Sequence, residues 1–217
     1  MTRLAVLGRR PYPETHALML RLHARVAAGL DPATWLVVEH EPVVTLGRNA
    51  KASSVLLAPE ALAARGVDLA RVERGGDATY HGPGQVVVYP IVRLERFREV
   101  VPLVSALERA AIAALAEFGI AGSTRSDHRG VYVRDDAICA VGLAIKAMTS
   151  LHGIAFNVGG SLDYDRLIAP CGLPQFGVTS VSQELGREVS WNQGCDALLT
   201  ALEREFGIGF ERELQVA

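Results

Sequence analysis

Twelve consecutive residues, Arg74-Gly-Gly-Asp-Ala-Thr-Tyr-His-Gly-Pro-Gly-Gln85, hold four glycines beside an arginine and a histidine, and the apolar run Val86–Tyr89 follows at once. Glycine at this density costs conformational entropy, so it marks a backbone that bends sharply or comes very close to a ligand. A second candidate is Cys171 in Ala169-Pro170-Cys171-Gly172. Flanked by proline and glycine, it sits on irregular, accessible backbone, and a cysteine thiolate is a good nucleophile and acyl acceptor. Cys139, inside Ile138-Cys139-Ala140-Val141, and Cys195, early in a helical stretch, read instead as buried structural thiols. The third element is His152, just before Gly153-Ile154-Ala155-Phe156-Asn157. A lone histidine before a strand is ordinarily structural, and the six histidines lack the local spacing of a metal site. Neither a metal nor a cofactor is implied.

The glycine run does not fit a nucleotide-binding loop. A Walker loop needs Lys and Ser/Thr after its last glycine, and neither is present. A dinucleotide fingerprint opens a helix whose N-terminus meets phosphate. Here the glycines precede a strand. A plain glycine-rich connection would explain the glycines but not Arg74, Thr79, Tyr80 and His81 beside them.

The elements that must position these residues are legible from pattern. Helices are expected over Glu14–Ala28, Pro102–Phe118 and Asn192–Phe206, with Leu18, Leu22 and Val26 at four-residue spacing, Leu103, Leu107, Ala111, Leu115 and Phe118 on one face, and Leu198, Leu199 and Leu202 turned inward. Each is closed by a glycine at or just beyond its end, and Asn192 reads as a capping residue. Strands are expected at the N-terminus and over Thr34–Glu39, Val43–Leu46, Gln85–Val92, Gly130–Arg134, Ile138–Ile145 and Gly153–Val158, with Asp135-Asp136 as a hairpin turn. A helix is expected to end near Ile168. Strands follow one another without a βαβ rhythm, which predicts an α+β fold: a mixed β-sheet with flanking helices. The chain reads as a single catalytic domain over residues 1–217, with a small C-terminal subdomain from about residue 179 as the alternative.

Bulk properties narrow the setting. With 49% apolar and 21% charged residues the chain has an ordinary globular composition. A net charge of −2 offers no electrostatic footprint for nucleic acid. No apolar run reaches the roughly 18 residues of a membrane span. Three cysteines without close spacing indicate neither a disulfide framework nor a zinc site. Free thiols and the absence of an export signal predict a cytoplasmic protein.

Taken together, these residues resemble the lipoyl(octanoyl) transferases, from about Glu39 to Ser182. The resemblance rests on Glu41-Pro42-Val43-Val44-Thr45-Leu46-Gly47-Arg48, then Arg74–Gln85 running into Tyr89-Pro90-Ile91, then Gly130-Val131-Tyr132-Val133, Ala140-Val141-Gly142, His152-Gly153 with Asn157, and Pro170-Cys171-Gly172, all in family order and spacing. It implies the α+β fold shared with biotin protein ligases and lipoate ligases. It also implies transfer of an octanoyl or lipoyl group from acyl carrier protein to a lysine of a lipoyl domain, through a thioester on Cys171. Acceptors would be the lipoyl domains of 2-oxoacid dehydrogenase complexes and the glycine cleavage H protein. Arg74, Gly75, Gly76, Asp77, Ala78, Thr79, Tyr80 and His81, with Ala140, Val141 and Gly142 and with Gly153, Ile154 and Ala155, would line the acyl site. Burial of the acyl chain in an apolar slot would contribute about 0.8 kcal/mol per CH₂. Acidic partners call for a local basic rim, with Arg48, Lys51, Arg125 and Arg129 as candidates.

The chain departs from the family pattern at one place. The resemblance puts a catalytic lysine at position 137, where this chain has alanine. Ala137 reads as an introduced replacement, as a natural residue in a protein that uses another base (His81, His152 or Lys146), or as the mark of a chain that binds acyl groups without turnover. The other activities in view are an ATP-dependent lipoate or biotin protein ligase and a non-catalytic acyl-binding protein.

Overall fold

The computed structural model describes residues 2–163, 167–168 and 177–213. Its centre is a seven-stranded sheet. Strands β1 (Thr2–Arg10), β2 (Thr34–His40), β6 (Gln85–Ile91), β7 (Val131–Val133), β8 (Asp136–Lys146), β9 (Thr149–Asn157) and β10 (Phe210–Glu213) lie in the order β10-β1-β2-β6-β9-β8-β7. β1 runs parallel to both β10 and β2, and every other pair is antiparallel, so the sheet is mixed. A second, three-stranded sheet has β3 (Val43–Leu46) between β4 (Asp68–Arg71) and β5 (Ala78–His81).

The central strands are apolar at nearly every position because both faces of the large sheet are covered. Trp35 and Val37 of β2 and Val86 and Val88 of β6 face α3 (Val100–Glu117) and α5 (Trp191–Phe206), packing with Leu103, Leu107, Leu198 and Leu202. Leu36, Val38, Val87 and Tyr89 face the other way, onto Met19, Leu22 and Val26 of α1 (Tyr12–Ala27). A satellite core of Val44, Leu46, Leu62, Val67 and Ala78 fills the space between the small sheet and α2 (Pro59–Ala63). The α+β architecture expected from the sequence is the one observed.

Several local expectations are corrected. α5 is capped by Ser190, not Asn192. The Ser190 side chain accepts from the Gln193 amide while Gln193 reaches back, a capping box two residues earlier than the sequence suggested. The β7–β8 turn is Arg134-Asp135, one residue earlier than Asp135-Asp136: Val133 pairs directly with Asp136, and Arg134 takes φ 54°. β9 begins at Thr149, four residues before the expected Gly153. It is joined to β8 by the two-residue turn Ala147-Met148, whose φ values of 47° and 55° are those normally reserved for Asn-Gly. Part of the glycine run is itself strand β5. Ile168, expected at a helix end, pairs with Val55 as an isolated antiparallel bridge.

α4 (Val181–Leu185) and α5 pack into the same core as the large sheet through Val181, Cys195 and Leu199, and β10 extends that sheet at β1. Among the described residues no helix is long and apolar enough to cross a membrane.

Candidate active site

The hairpin β8–β9 sets two of the sequence-predicted segments side by side. Ala140 pairs with Ala155, Val141 with Ile154 and Gly142 with Gly153. Gly153 is required here: a Cβ would overlap the Val88 carbonyl of β6 and the ring of Pro90. Gly142 leaves room for the Arg74 side chain crossing over it. The glycine run reaches this hairpin directly, since the Gly75 N–H donates to the Leu143 carbonyl at 2.9 Å. Its other flank is clamped to the end of β3. Gly47, Arg48 and Asn49 donate their N–H groups to the carbonyls of Asp77, Arg74 and Gly76, and a Cβ on Gly47 would overlap the Gly76 carbonyl.

One cavity results. Its walls include Arg74, Thr79 and His81 from the glycine run, Ala140–Gly142 and Gly153–Ala155 from the hairpin, and Tyr12, Thr45, Tyr89 and His152. Gly75 and Gly76 shape the turn that carries Arg74. The Asp77 carboxylate accepts from the Ala78 N–H, and Ala78 and Tyr80 pack on the satellite core. Cys171 lies outside the described residues. Burial pushes the thiols of Cys139 and Cys195 up, the latter to about 12, so neither is a ready nucleophile.

Arg74 is buried and held by Thr45: its guanidinium donates to the Thr45 carbonyl at 2.7 Å and to the Thr45 hydroxyl at 2.9 Å. Beside it His81 begins a chain of side-chain bonds. His81 Nδ1 donates to Gln85 Oε1 at 2.7 Å, Gln85 Nε2 donates to Asn157 Oδ1 at 2.9 Å, and Asn157 Nδ2 donates to the Thr179 carbonyl at 3.1 Å. This leaves His81 Nε2 as the acceptor nitrogen, 3.4 Å from the Thr45 hydroxyl. Burial, with His40 nearby, keeps His81 well below the ordinary histidine range, so the ring is neutral.

The far end of that chain touches position 137. The Ala137 carbonyl accepts from the Thr179 N–H and the Ala137 N–H donates to Gly177, both at 3.0 Å. Glu184 fixes the same stretch by accepting from the Thr179 hydroxyl and from Arg134. Lys146 sits at the opposite end of β8, nine residues or about 30 Å of extended strand away, so it does not stand in locally for a lysine at 137.

Histidines and tyrosines gather behind the cavity in a way the sequence did not signal. His40 accepts from the Tyr89 hydroxyl through Nε2 at 2.8 Å and donates through Nδ1 to the Arg10 carbonyl. Burial lowers it to about 4. The Tyr12 hydroxyl is buried on the cavity wall and has no hydrogen-bond partner among the described residues. Burial raises its pKa, so it keeps its proton. Glu73, just before the run, stands between His16 and His152. The His152 ring facing it holds its carboxyl down to about 2. Thr45 was visible as the polar residue of Val43–Leu46; Tyr12, His16, His40 and Glu73 gave no local signal. Of the basic residues expected on a docking rim, Arg48 and Lys51 are exposed, while Arg125 pairs with Asp127 and Asp135 and Arg129 with Glu108.

The lipoyl protein ligase A/B catalytic domain family matches residues 11–203. An octanoyltransferase of Syntrophobacter fumaroxidans is 43% identical over 92% of this chain and 88% of its own length. A probable octanoyltransferase of Pyrobaculum arsenaticum is 44% identical over 93% of this chain and 94% of its own length. Among solved structures, a putative lipoate protein ligase from T. acidophilum with bound lipoic acid superposes with a TM-score of 0.77 at 16% identity, covering 98% of this chain and 88% of that one. A biotin protein ligase from Aquifex aeolicus superposes at 0.56 and 12% identity, over 95% and 69% of the two chains, a likeness of fold.

Proposed function

The chain belongs to the lipoyl protein ligase A/B catalytic domain family, and from that premise we propose that it is an octanoyltransferase of lipoate biosynthesis acting in the cytoplasm. The observation that carries this reading is the register of Ala140–Gly142 against Gly153–Ala155 beneath Arg74 and His81, which builds one cavity from segments the octanoyltransferase resemblance had singled out. Relatives named octanoyltransferase, matched over 88% and 90% of their own length, support it.

In the proposed reaction the donor is octanoyl-acyl carrier protein. The Cys171 thiolate attacks the donor's thioester carbonyl, the carbon–sulfur bond to the carrier breaks, and the carrier leaves as its thiol. The octanoyl group, now a thioester on Cys171, is attacked by the lysine amine of a lipoyl domain, from a 2-oxoacid dehydrogenase complex or the glycine cleavage H protein. An amide forms, the amine gives up a proton, and the cysteine is regenerated. Each addition places negative charge on the carbonyl oxygen, which needs fixed donors. The protonated Tyr12 hydroxyl and the Arg74 guanidinium are the donors we assign to it. His81, neutral with Nε2 as its acceptor nitrogen, is the proton carrier we assign in place of a lysine at 137.

Exposed Arg48 and Lys51 beside the cavity's clamp suit an acidic carrier protein or lipoyl domain.

The test is to mix the protein with octanoyl-acyl carrier protein and weigh it intact. One octanoyl group per chain is expected, and none in Cys171→Ala. An adduct that persists in Cys171→Ala, or that never forms even in Ala137→Lys, overturns the reading.

A further inference from the structure

Three side chains from distant parts of the chain converge beside the cavity: His16 in α1, Glu73 before the glycine run, and His152 in β9. Glu73 Oε2 lies 3.2 Å from His16 Nε2 and 3.5 Å from His152 Nε2. One ligand atom from each of the three residues lies within 4.8 Å of the other two. In a tetrahedral site with zinc–ligand bonds of about 2.0–2.1 Å, neighbouring ligand atoms are about 3.3 Å apart. Two edges of the triangle already have that length.

A carboxylate shared by two histidines is also what a plain ion-pair network looks like, so the cluster needs a further distinguishing mark. His152 supplies it. The residue is 2% exposed, and its Nε2 is buried with no hydrogen-bond partner among the described residues. At 3.5 Å the approach to Glu73 is an ion-pair distance, long for a hydrogen bond. Buried polar atoms of this kind are uncommon and call for a ligand or a function. The backbone of His152 is also held at φ 59°, a conformation that non-glycine residues adopt mainly where surrounding structure imposes it. The His16 and His152 rings stack at 5.8 Å with 24° between their planes. The side is not sealed: the side chains of His16 and Glu73 remain 23% and 39% exposed, which gives an ion a way in.

We propose that His16, Glu73 and His152 form a three-ligand binding site for a borderline divalent transition metal, with Zn²⁺ as the reference ion. Two imidazoles and one carboxylate select this class over Mg²⁺ or Ca²⁺, which prefer oxygen ligands. Three protein ligands leave a fourth position for water or a substrate group. The ion would tie α1, the entry to the glycine run and β9 to one point, and His152 also lines the cavity, so the site and the cavity share a wall. The inference stands on this geometry and does not depend on the acyl-transfer reading.

The test uses full-length, metal-stripped protein without a polyhistidine tag. ZnCl₂ is titrated in competition with a chromogenic chelator, and CoCl₂ is followed by visible absorption. One ion per chain, bound at about 1 µM or tighter, is expected, with four-coordinate Co²⁺ absorption and a raised melting temperature on adding Zn²⁺. His16→Ala and Glu73→Gln, on the accessible side and checked for folding by circular dichroism, should each weaken binding by about tenfold or more. Cys171→Ser should bind as the parent does. Binding weaker than about 1 µM, a smaller loss in His16→Ala or Glu73→Gln, or loss of the ion in Cys171→Ser, which would place it on the thiol, each overturns the site.

Discussion

His81 donates through Nδ1 to Oε1 of Gln85 at 2.7 Å, and that one bond decides which of its two nitrogens is left to take a proton. Without Gln85 the buried ring would be free to change tautomer, and a donor would be left unsatisfied. If His81 carries protons in acyl transfer, Gln85→Leu should lower kcat by about 10²-fold, in the range of positioned acid–base transfer, and leave the donor KM within about twofold. Gln85→Glu should instead raise the pKa of His81 and move the acidic limb of the pH–rate profile upward. A Gln85→Leu enzyme with parental kcat removes His81 from the reaction.

Ala137 is bonded through both its backbone groups to the stretch at Gly177–Thr179, so a side chain at 137 starts from a fixed point. Placing lysine there should raise the rate of octanoyl transfer to a lipoyl domain by about 10²-fold, the low end of acid–base catalysis if His81 already serves in part. Single-turnover kinetics of parent and Ala137→Lys decide this. An unchanged or lower rate means that the proton path is complete without a lysine.

Gly153 of β9 lies directly against the Val88 carbonyl of β6. A methyl group there would overlap the Val88 carbonyl, in a strand buried on both faces. Gly153→Ala should cost about 3 kcal/mol or more in urea unfolding, the scale of overpacked cores. Gly209→Ala, where a Cβ meets nothing within 4 Å, should stay within about 0.5 kcal/mol of the parent. Equal costs at the two positions would mean that the β6–β9 contact yields more readily than its geometry implies.

His40 is fully buried among Tyr12, His81 and Tyr89, and burial lowers it to about 4. In the unfolded chain it takes up a proton near its ordinary pKa of about 6.5. Below that pH the unfolded state binds the extra proton and gains, so the stabilisation is complete above about 6.5 and is lost as pH falls toward 4. Between about pH 7.5 and about pH 5 this one group should remove about 2 kcal/mol. His81 is shifted in the same direction and adds to the effect. His40→Gln should flatten the urea-unfolding free energy across that window by about the same amount, and a slope equal to the parent's would rule His40 out as a source.

Much of the fold could be read in advance because its central strands are buried on both sides. Gln85–Ile91 and Thr34–His40 are almost continuous apolar runs, and α3 and α5 are closed by Gly119 and Gly207. What was missed follows from backbone rather than composition. The first half of β9 went unread because the turn before it is Ala147-Met148, with neither glycine nor asparagine to announce left-handed geometry. β5 was hidden inside glycines that suggested only a bend. For the site, Ala140–Gly142 and Gly153–Ala155 came from the family resemblance, since nothing in their periodicity distinguishes them from ordinary strand. The cluster of His16, Glu73 and His152 could not be found by local spacing, since His16 and Glu73 are 57 residues apart and only the packing of α1 against the hairpin brings them together.

Ala147 and Met148 both adopt left-handed backbone where β8 turns into β9. Two consecutive side-chain-bearing residues in left-handed conformation each cost about 1–2 kcal/mol that an Asn-Gly pair would largely avoid. That cost sits at the distal tip of the hairpin whose middle carries Ala140–Gly142 and Gly153–Ala155. Replacing the pair by Asn-Gly would therefore add stability at a point remote from the cavity. That added stability would widen mutational tolerance at the cavity itself, so that substitutions there which now cost too much folding free energy become accessible to selection.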